Sequence, residues 1–163
     1  MNFQKITADF AAQHVRAQTN LQTDQLFSKE IRQKMGDAGL FRIGLPESYG
    51  GNNGGHLDLL QAGEIFVRDG RDLGLGVSWI FQQIIARHLL GTFGMPEQCD
   101  QYLRAAACGK CMLSFAVSEP GRGATPKNLT TKATRQGRSY CLQGEKRYLT
   151  NGPIADIFIV IAV

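Results

Sequence analysis

The sequence predicts an α+β protein: an all-α helical bundle over residues 1–109, then the start of an antiparallel β-barrel-like domain over residues 110–163. Two observations carry this prediction. Apolar residues recur at helical spacing up to Gly109 and alternate with period two beyond it. The final stretch alternates Ile157, Ile159 and Ile161 with Phe158, Val160 and Ala162, an apolar run that reads as a strand covered on both faces. The chain stops at Val163 with nothing left to cover that strand, so a truncated chain is expected.

The first helix is expected over residues 3–18, where Phe3, Ile6, Phe10 and Ala17 share one face. A second starts near Asp24 as N-cap, carries Phe27, Ile31, Met35 and Ala38, and stops at Gly39. Phe41–Gly55 reads as a loop, because Pro46 and five glycines interrupt any regular element. A third helix covers Leu57–Arg68, with Leu60, Glu64 and Val67 on one stripe and Glu64 as a carboxylate paired across the bundle. The fourth, Leu73–Leu90, is apolar on most sides and is expected to be the central buried helix, with Trp79 in the core. The fifth opens at Pro96, a favoured first position, and ends near Gly109. Strands follow near 111–118, 129–135, 139–149 and 155–163, with a hairpin turn at Gln136–Ser139.

Composition removes several function classes. The most apolar stretch, Leu73–Leu90, contains Gln82, Gln83, Arg87 and His88, so no membrane span is expected. The N-terminus lacks the apolar core of a signal peptide, and a cytoplasmic location is the default expectation. Net charge is +4, but residues 104–147 hold +7 and the remainder −3. A basic β-segment can attract phosphates of a dinucleotide or coenzyme A. No basic helix or aromatic-interleaved platform points to nucleic acid. Cys108-Gly109-Lys110-Cys111 lacks the second pair that zinc requires, and it follows a helix rather than opening one. No metal site is expected, and His14, His56 and His88 fall in separate elements.

The chemistry is expected in two stretches. Leu113–Thr125, LSFAVSEPGRGAT, begins as an alternating strand and is stopped by Glu119-Pro120-Gly121. Lys146–Pro153, KRYLTNGP, repeats that plan: a strand Arg147–Thr150, then the turn Asn151-Gly152-Pro153. Glycines at such turns leave backbone N–H groups free for an anionic or electron-rich ligand. Each strand end also carries a hydroxyl, Ser118 or Thr150, so the two could form one polar site.

The paired motifs AVSEPGRGA and KRYLTNG, the strand ADIFIVIAV and the upstream LFRIGLPESYGG resemble the acyl-CoA dehydrogenase family, in order and over nearly the whole chain. The resemblance implies an N-terminal helical bundle and the first part of the family's flavin-binding middle β domain. It implies FAD as cofactor, an acyl-CoA substrate, and α,β-dehydrogenation of the thioester with hydride transfer to the flavin. It also implies an electron-transfer flavoprotein or another electron acceptor, a role in fatty acid metabolism, and a homo-oligomer when full length. Ser118 and Thr150 match the family's flavin-bonding hydroxyls. Phe115, Val117 and Leu149 would line the ring, and Gly121 to Gly123 would approach the pyrophosphate. Two positions depart from the family pattern: Ala124 stands where serine is usual, and Tyr148 where tryptophan is usual. The family's glutamate base lies in a C-terminal bundle that these residues do not include, so no residue here is assigned as catalytic. Two alternatives remain open: a flavin-dependent oxidase or monooxygenase on the same fold, and a non-catalytic helical interaction module with a degenerate flavin site.

Overall fold

The computed structural model describes residues 2–16, 27–121 and 125–163. The chain divides into two units, Met1–Met112 and Leu113–Val163.

Five helical segments build the first unit. Helix α1 (residues 3–15) runs as Phe3–Phe10 and widens into a π-turn over Ala11–Val15. Asn2 caps it by accepting from the Lys5 N–H at 2.9 Å. Its buried face is Thr7, Phe10, Ala11 and Val15, while Phe3 and Ile6 are half-buried. Helix α2 (Lys29–Asp37) is capped by Ser28, whose Oγ accepts from the Ile31 N–H at 3.3 Å. The expected cap Asp24 and the expected face residue Ala17 lie outside the described residues. Gly39 ends the segment in the left-handed region at φ 78°, the stop expected there. A Cβ on Gly36 would stand 2.3 Å from the Cys108 carbonyl oxygen, so α2 touches the chain just beyond the last helix through bare backbone.

Helix α3 (His56–Gly70) buries Leu59, Ala62, Gly63, Phe66 and Gly70. This corrects the expected stripe: Leu60 is 66% exposed and Glu64 is exposed, so Glu64 is not a carboxylate paired across the core. Small residues set the contact. A Cβ on Gly70 would meet Val15 Cγ1 at 2.9 Å, so α1 crosses α3 over glycine, while the large apolar residues of the buried face are Leu59 and Phe66 rather than Leu60 and Val67.

Helix α4 (residues 73–93) is continuous through Leu73–Ile84, Ile85–Leu90 and Gly91–Phe93. Trp79 is fully buried, 5.1 Å from Phe66 between ring centroids, and its Nε1–H donates to the Leu40 carbonyl at 3.3 Å. The expectation of burial on most sides fails on one face. Leu73, Val77, Phe81 and Ile84 are 40–66% exposed, whereas the polar pair Gln82 and Gln83 is buried. The glutamines serve the loop: Gln83 Nε2 donates to the Ile43 carbonyl at 2.7 Å, and Gln82 Nε2 to the Cys111 carbonyl at 3.0 Å. Buried carbonyls need such donors where no ladder supplies them. Helix α5 (residues 96–107) opens at Pro96 as expected and ends before Gly109, which takes φ 69°. No helix among the described residues is long and apolar enough to cross a membrane.

The second unit holds β1 (Leu113–Ala116), β2 (Lys132–Gln136), β3 (Ser139–Gln143) and β4 (Ile157–Val160). β2 and β3 form the expected antiparallel hairpin, turning at Gly137 with φ 63°. β1 and β4 pair in parallel, with Leu113 opposite Ile157 and Ala116 opposite Val160. An all-antiparallel barrel-like start is therefore not what forms: the described strands make two two-stranded sheets and no closed barrel. Residue alternation reports which face a side chain takes but not the direction of the neighbouring strand, so the sequence pattern left this open. Beyond β4, Val163 N–H donates to the Thr131 carbonyl at 2.9 Å and Ala133 N–H to the Val163 carbonyl at 2.8 Å, joining the end of β4 to the start of β2. The expected strand over 139–149 stops at Gln143, and Arg147–Thr150 is not a strand, because Tyr148 takes φ 58°.

Candidate functional site

β1 delivers Val117 and Ser118 to a turn at Glu119-Pro120-Gly121, where Gly121 takes φ 70° and a Cβ would meet no atom within 4 Å. Four contacts bring the distant KRYLTNGP stretch to this turn. Arg147 N–H donates to the Ser118 carbonyl at 2.9 Å. Lys146 Nζ donates to the Val117 carbonyl and to Glu119 Oε1, each at 2.9 Å. Ser114 Oγ, on β1, donates to the Thr150 carbonyl at 2.8 Å. The two motifs thus meet, although only one of them is a strand.

Glu119 is the centre of this junction. Its side chain is 1% exposed and that of Lys146 is 9% exposed. Oε2 accepts from Thr130 N–H and Oγ1, both at 2.7 Å. Oε1 accepts from Thr131 N–H at 2.9 Å, from Thr131 Oγ1 at 2.6 Å and from Lys146. Hydrogen bonds from Thr130 and Thr131, then from Lys146, hold this carboxyl well below the ordinary value of 4.5, against burial, which pushes it up. Five donors occupy its lone pairs, so Glu119 is a structural anion rather than a proton acceptor. The sequence reading treated it as a strand stop. The signal that could have found it is one of only two acids in the basic segment 104–147, placed before a threonine pair and a lysine.

The remaining predicted site residues lie around the junction. Ser118 and Thr150 are half-buried, and among the described residues neither hydroxyl has a hydrogen-bond partner. Phe115, Val117 and Leu149 are half-buried. Tyr148 is 90% exposed, its left-handed backbone carrying the ring into solvent. Asn151, at φ 65°, starts the turn in which Ile154 N–H donates to the Asn151 carbonyl at 3.0 Å. Gly123 and Ala124 lie outside the described residues. Among the described residues no cluster of His, Cys, Asp or Glu could hold a metal ion.

The first unit contributes a separate feature that the sequence did not reveal. Between α3 and α4 lies an apolar groove of about 500 Å³, lined by Leu60, Val67, Val77, Ile80 and Phe81, with Glu64 and Arg68 as its only charged residues among the described ones. Glycines allow the helices to close beneath it: a Cβ on Gly76 would stand 2.4 Å from Val67 Cγ2, and one on Gly63 2.8 Å from Ile80 Cδ1.

Comparison with known proteins identifies the family. Residues 1–110 match the acyl-CoA dehydrogenase N-terminal domain, and residues 114–163 match the acyl-CoA dehydrogenase middle domain. The chain is 32% identical over 136 residues to the mitochondrial long-chain specific acyl-CoA dehydrogenase of Rattus norvegicus, covering 83% of this chain and 31% of that protein. It is 31% identical to the caffeyl-CoA reductase-Etf complex subunit CarC of Acetobacterium woodii, covering 97% of this chain and 42% of that subunit. The solved structure of PigA with FAD and proline superposes with a TM-score of 0.86 at 28% identity, over 97% of this chain and 42% of that one. The chain therefore spans less than half the length of the relatives it matches, and with its two domain matches it belongs to the acyl-CoA dehydrogenase family.

Proposed function

We propose that this chain supplies the flavin-cradling part of an oxidoreductase that dehydrogenates an acyl-CoA thioester between its α and β carbons. The observation that carries the reading is the Glu119–Lys146 junction, which sets two hydroxyls, Ser118 and Thr150, without partners among the described residues, on loops tied to each other. The residues present fit FAD. The half-buried side chains of Phe115, Val117 and Leu149 offer apolar walls, and Gly121 leaves the turn open for close approach of a phosphate. Gly123, Ala124 and Tyr148 belong to the same proposed site, Tyr148 offering its exposed ring as a face for the flavin.

FAD, when bound, would take the β-hydrogen as hydride. The work of this chain is electrostatic. Ser118 and Thr150 would hold O–H donors toward the part of the ring that gains negative charge on reduction, and fixed donors stabilise developing charge without reorganising. Lys146 acts through Glu119 and the Val117 carbonyl, fixing the backbone that carries Ser118. No residue of this chain is assigned the base that removes the α-proton. Kinship with a subunit of a reductase-Etf complex supports an electron-transfer flavoprotein as redox partner.

The test uses the protein expressed from its complete gene. It is expected to purify yellow, to release FAD on denaturation, and to lose flavin absorbance when butyryl- or octanoyl-CoA is added without air. Colourless protein that takes up no added FAD would contradict the flavin reading. Yellow protein that no acyl-CoA bleaches would restrict the error to the substrate and favour an oxidase or monooxygenase on the same fold.

A further inference from the structure

A second pocket, of about 300 Å³, lies under the loop between α2 and α3 and is lined by Gly44, Tyr49, Asn53, Gly54, Leu103 and Arg87. Arg87 stands on the π-turn of α4 and is half-buried. Its Nη1 is shut off from solvent and meets no acceptor. None of the ion pairs among the described residues includes it. A guanidinium cannot shed its proton, and a buried donor without a partner is costly. The backbone is shaped to the group. Gly44 takes φ 82°, and a Cβ there would stand 3.2 Å from Arg87 Nη1 and 3.3 Å from its Cδ, so a side chain at this position would crowd the guanidinium. Tyr49 adds a phenol without a partner among the described residues. Asn53 is not available in the same way, because its Nδ2 donates to Glu47 Oε1 at 2.9 Å.

We propose that this pocket binds a compact oxyanion, a short carboxylate or inorganic phosphate, against the Arg87 guanidinium with the Tyr49 hydroxyl as second donor. The planar fork of arginine matches the two oxygens of either group. The volume is at the small end of ligand pockets, which run from about 300 to 1,000 Å³, and it excludes a dinucleotide or coenzyme A. The proposal is independent of the flavin reading, since every residue it uses lies in the helical unit.

Isothermal titration with sodium acetate and, separately, sodium phosphate tests it, at fixed ionic strength with chloride as balancing anion. Saturable binding of at least one anion is expected. The tighter of the two identifies the source, carboxylate or phosphate. Arg87→Gln should weaken that binding tenfold or more and Tyr49→Phe several-fold. Arg104→Gln, which removes an exposed arginine already paired with Asp100, should leave it within twofold. Absence of saturable binding to the wild-type protein would overturn the proposal, as would equal affinity in a folded Arg87→Gln variant. If Arg87→Gln does not fold by circular dichroism, an unchanged affinity in Tyr49→Phe overturns it instead.

Discussion

Replacing Trp79 by alanine is expected to destabilise the helical unit by about 3–5 kcal/mol, the range for removing a buried large aromatic side chain. Trp79 has no exposed surface, packs against Phe66 and donates to the Leu40 carbonyl. The substitution opens a cavity between α3 and α4 and removes the shorter of that carbonyl's two hydrogen bonds, the other coming from Gln83 Nε2 at 3.5 Å. The matched control is Phe81→Ala, two residues along the same helix but 41% exposed. It should cost less than half as much. Urea unfolding followed by helical circular dichroism gives both values. Equal losses would mean that the buried face of α4 is misassigned.

That assignment shows how far the sequence could be read. Trp79 as core, Pro96 as a helix start and Gly39 as a helix stop were legible, because each depends on a residue's own size or backbone preference. The switch of period near Gly109 placed the change from helices to strands for the same reason. The face of α3 was not legible. Its closest approaches are made over Gly63 and Gly70, beside the buried Leu59 and Phe66, and a small residue leaves no hydrophobic signal at the point of closest approach. The burial of Gln82 and Gln83 was not legible either, since they are buried to satisfy carbonyls of distant segments. In the second unit the meeting of the two motifs was legible as a possibility, but its cause was not. Glu119, Lys146, Thr130 and Thr131 are separated in sequence, and only the fold shows that one carboxylate gathers the others.

Glu119→Gln is expected to have the largest effect on the site. The amide replaces one acceptor oxygen by a donor, which faces Thr hydroxyls and N–H groups or the Lys146 ammonium, whichever way it turns. The protein should lose retained FAD by more than tenfold, and the loops around Ser118 and Thr150 should become sensitive to protease. The pH dependence has a definite sign. The folded carboxyl lies below its ordinary value of 4.5, so the unfolded chain takes up the proton first as pH falls. The stabilisation from Glu119 is therefore fully present above about pH 4.5 and is lost as pH falls toward the lowered folded value. The stability gap between wild type and Glu119→Gln should be widest near neutral pH and narrow in acid. A gap independent of pH would show that the carboxylate is not held by these donors. Lys146→Met should reproduce the loss of FAD, since it cuts the tie to both Val117 and Glu119.

The reduction potential of the bound flavin tests most directly whether Ser118 and Thr150 face the cofactor. Thr150→Val keeps the shape of the side chain and removes its donor, and Ser118→Ala does the same on the other loop. A hydrogen bond to a charged group is worth about 1.5–3 kcal/mol. For a two-electron couple about 30 mV corresponds to 1.4 kcal/mol, so each substitution should lower the potential by tens of millivolts. Lys132→Ala, on the exposed hairpin, should leave it nearly unchanged. Potentials that stay at the wild-type value in both Thr150→Val and Ser118→Ala, with FAD still bound, would contradict a flavin site at this junction.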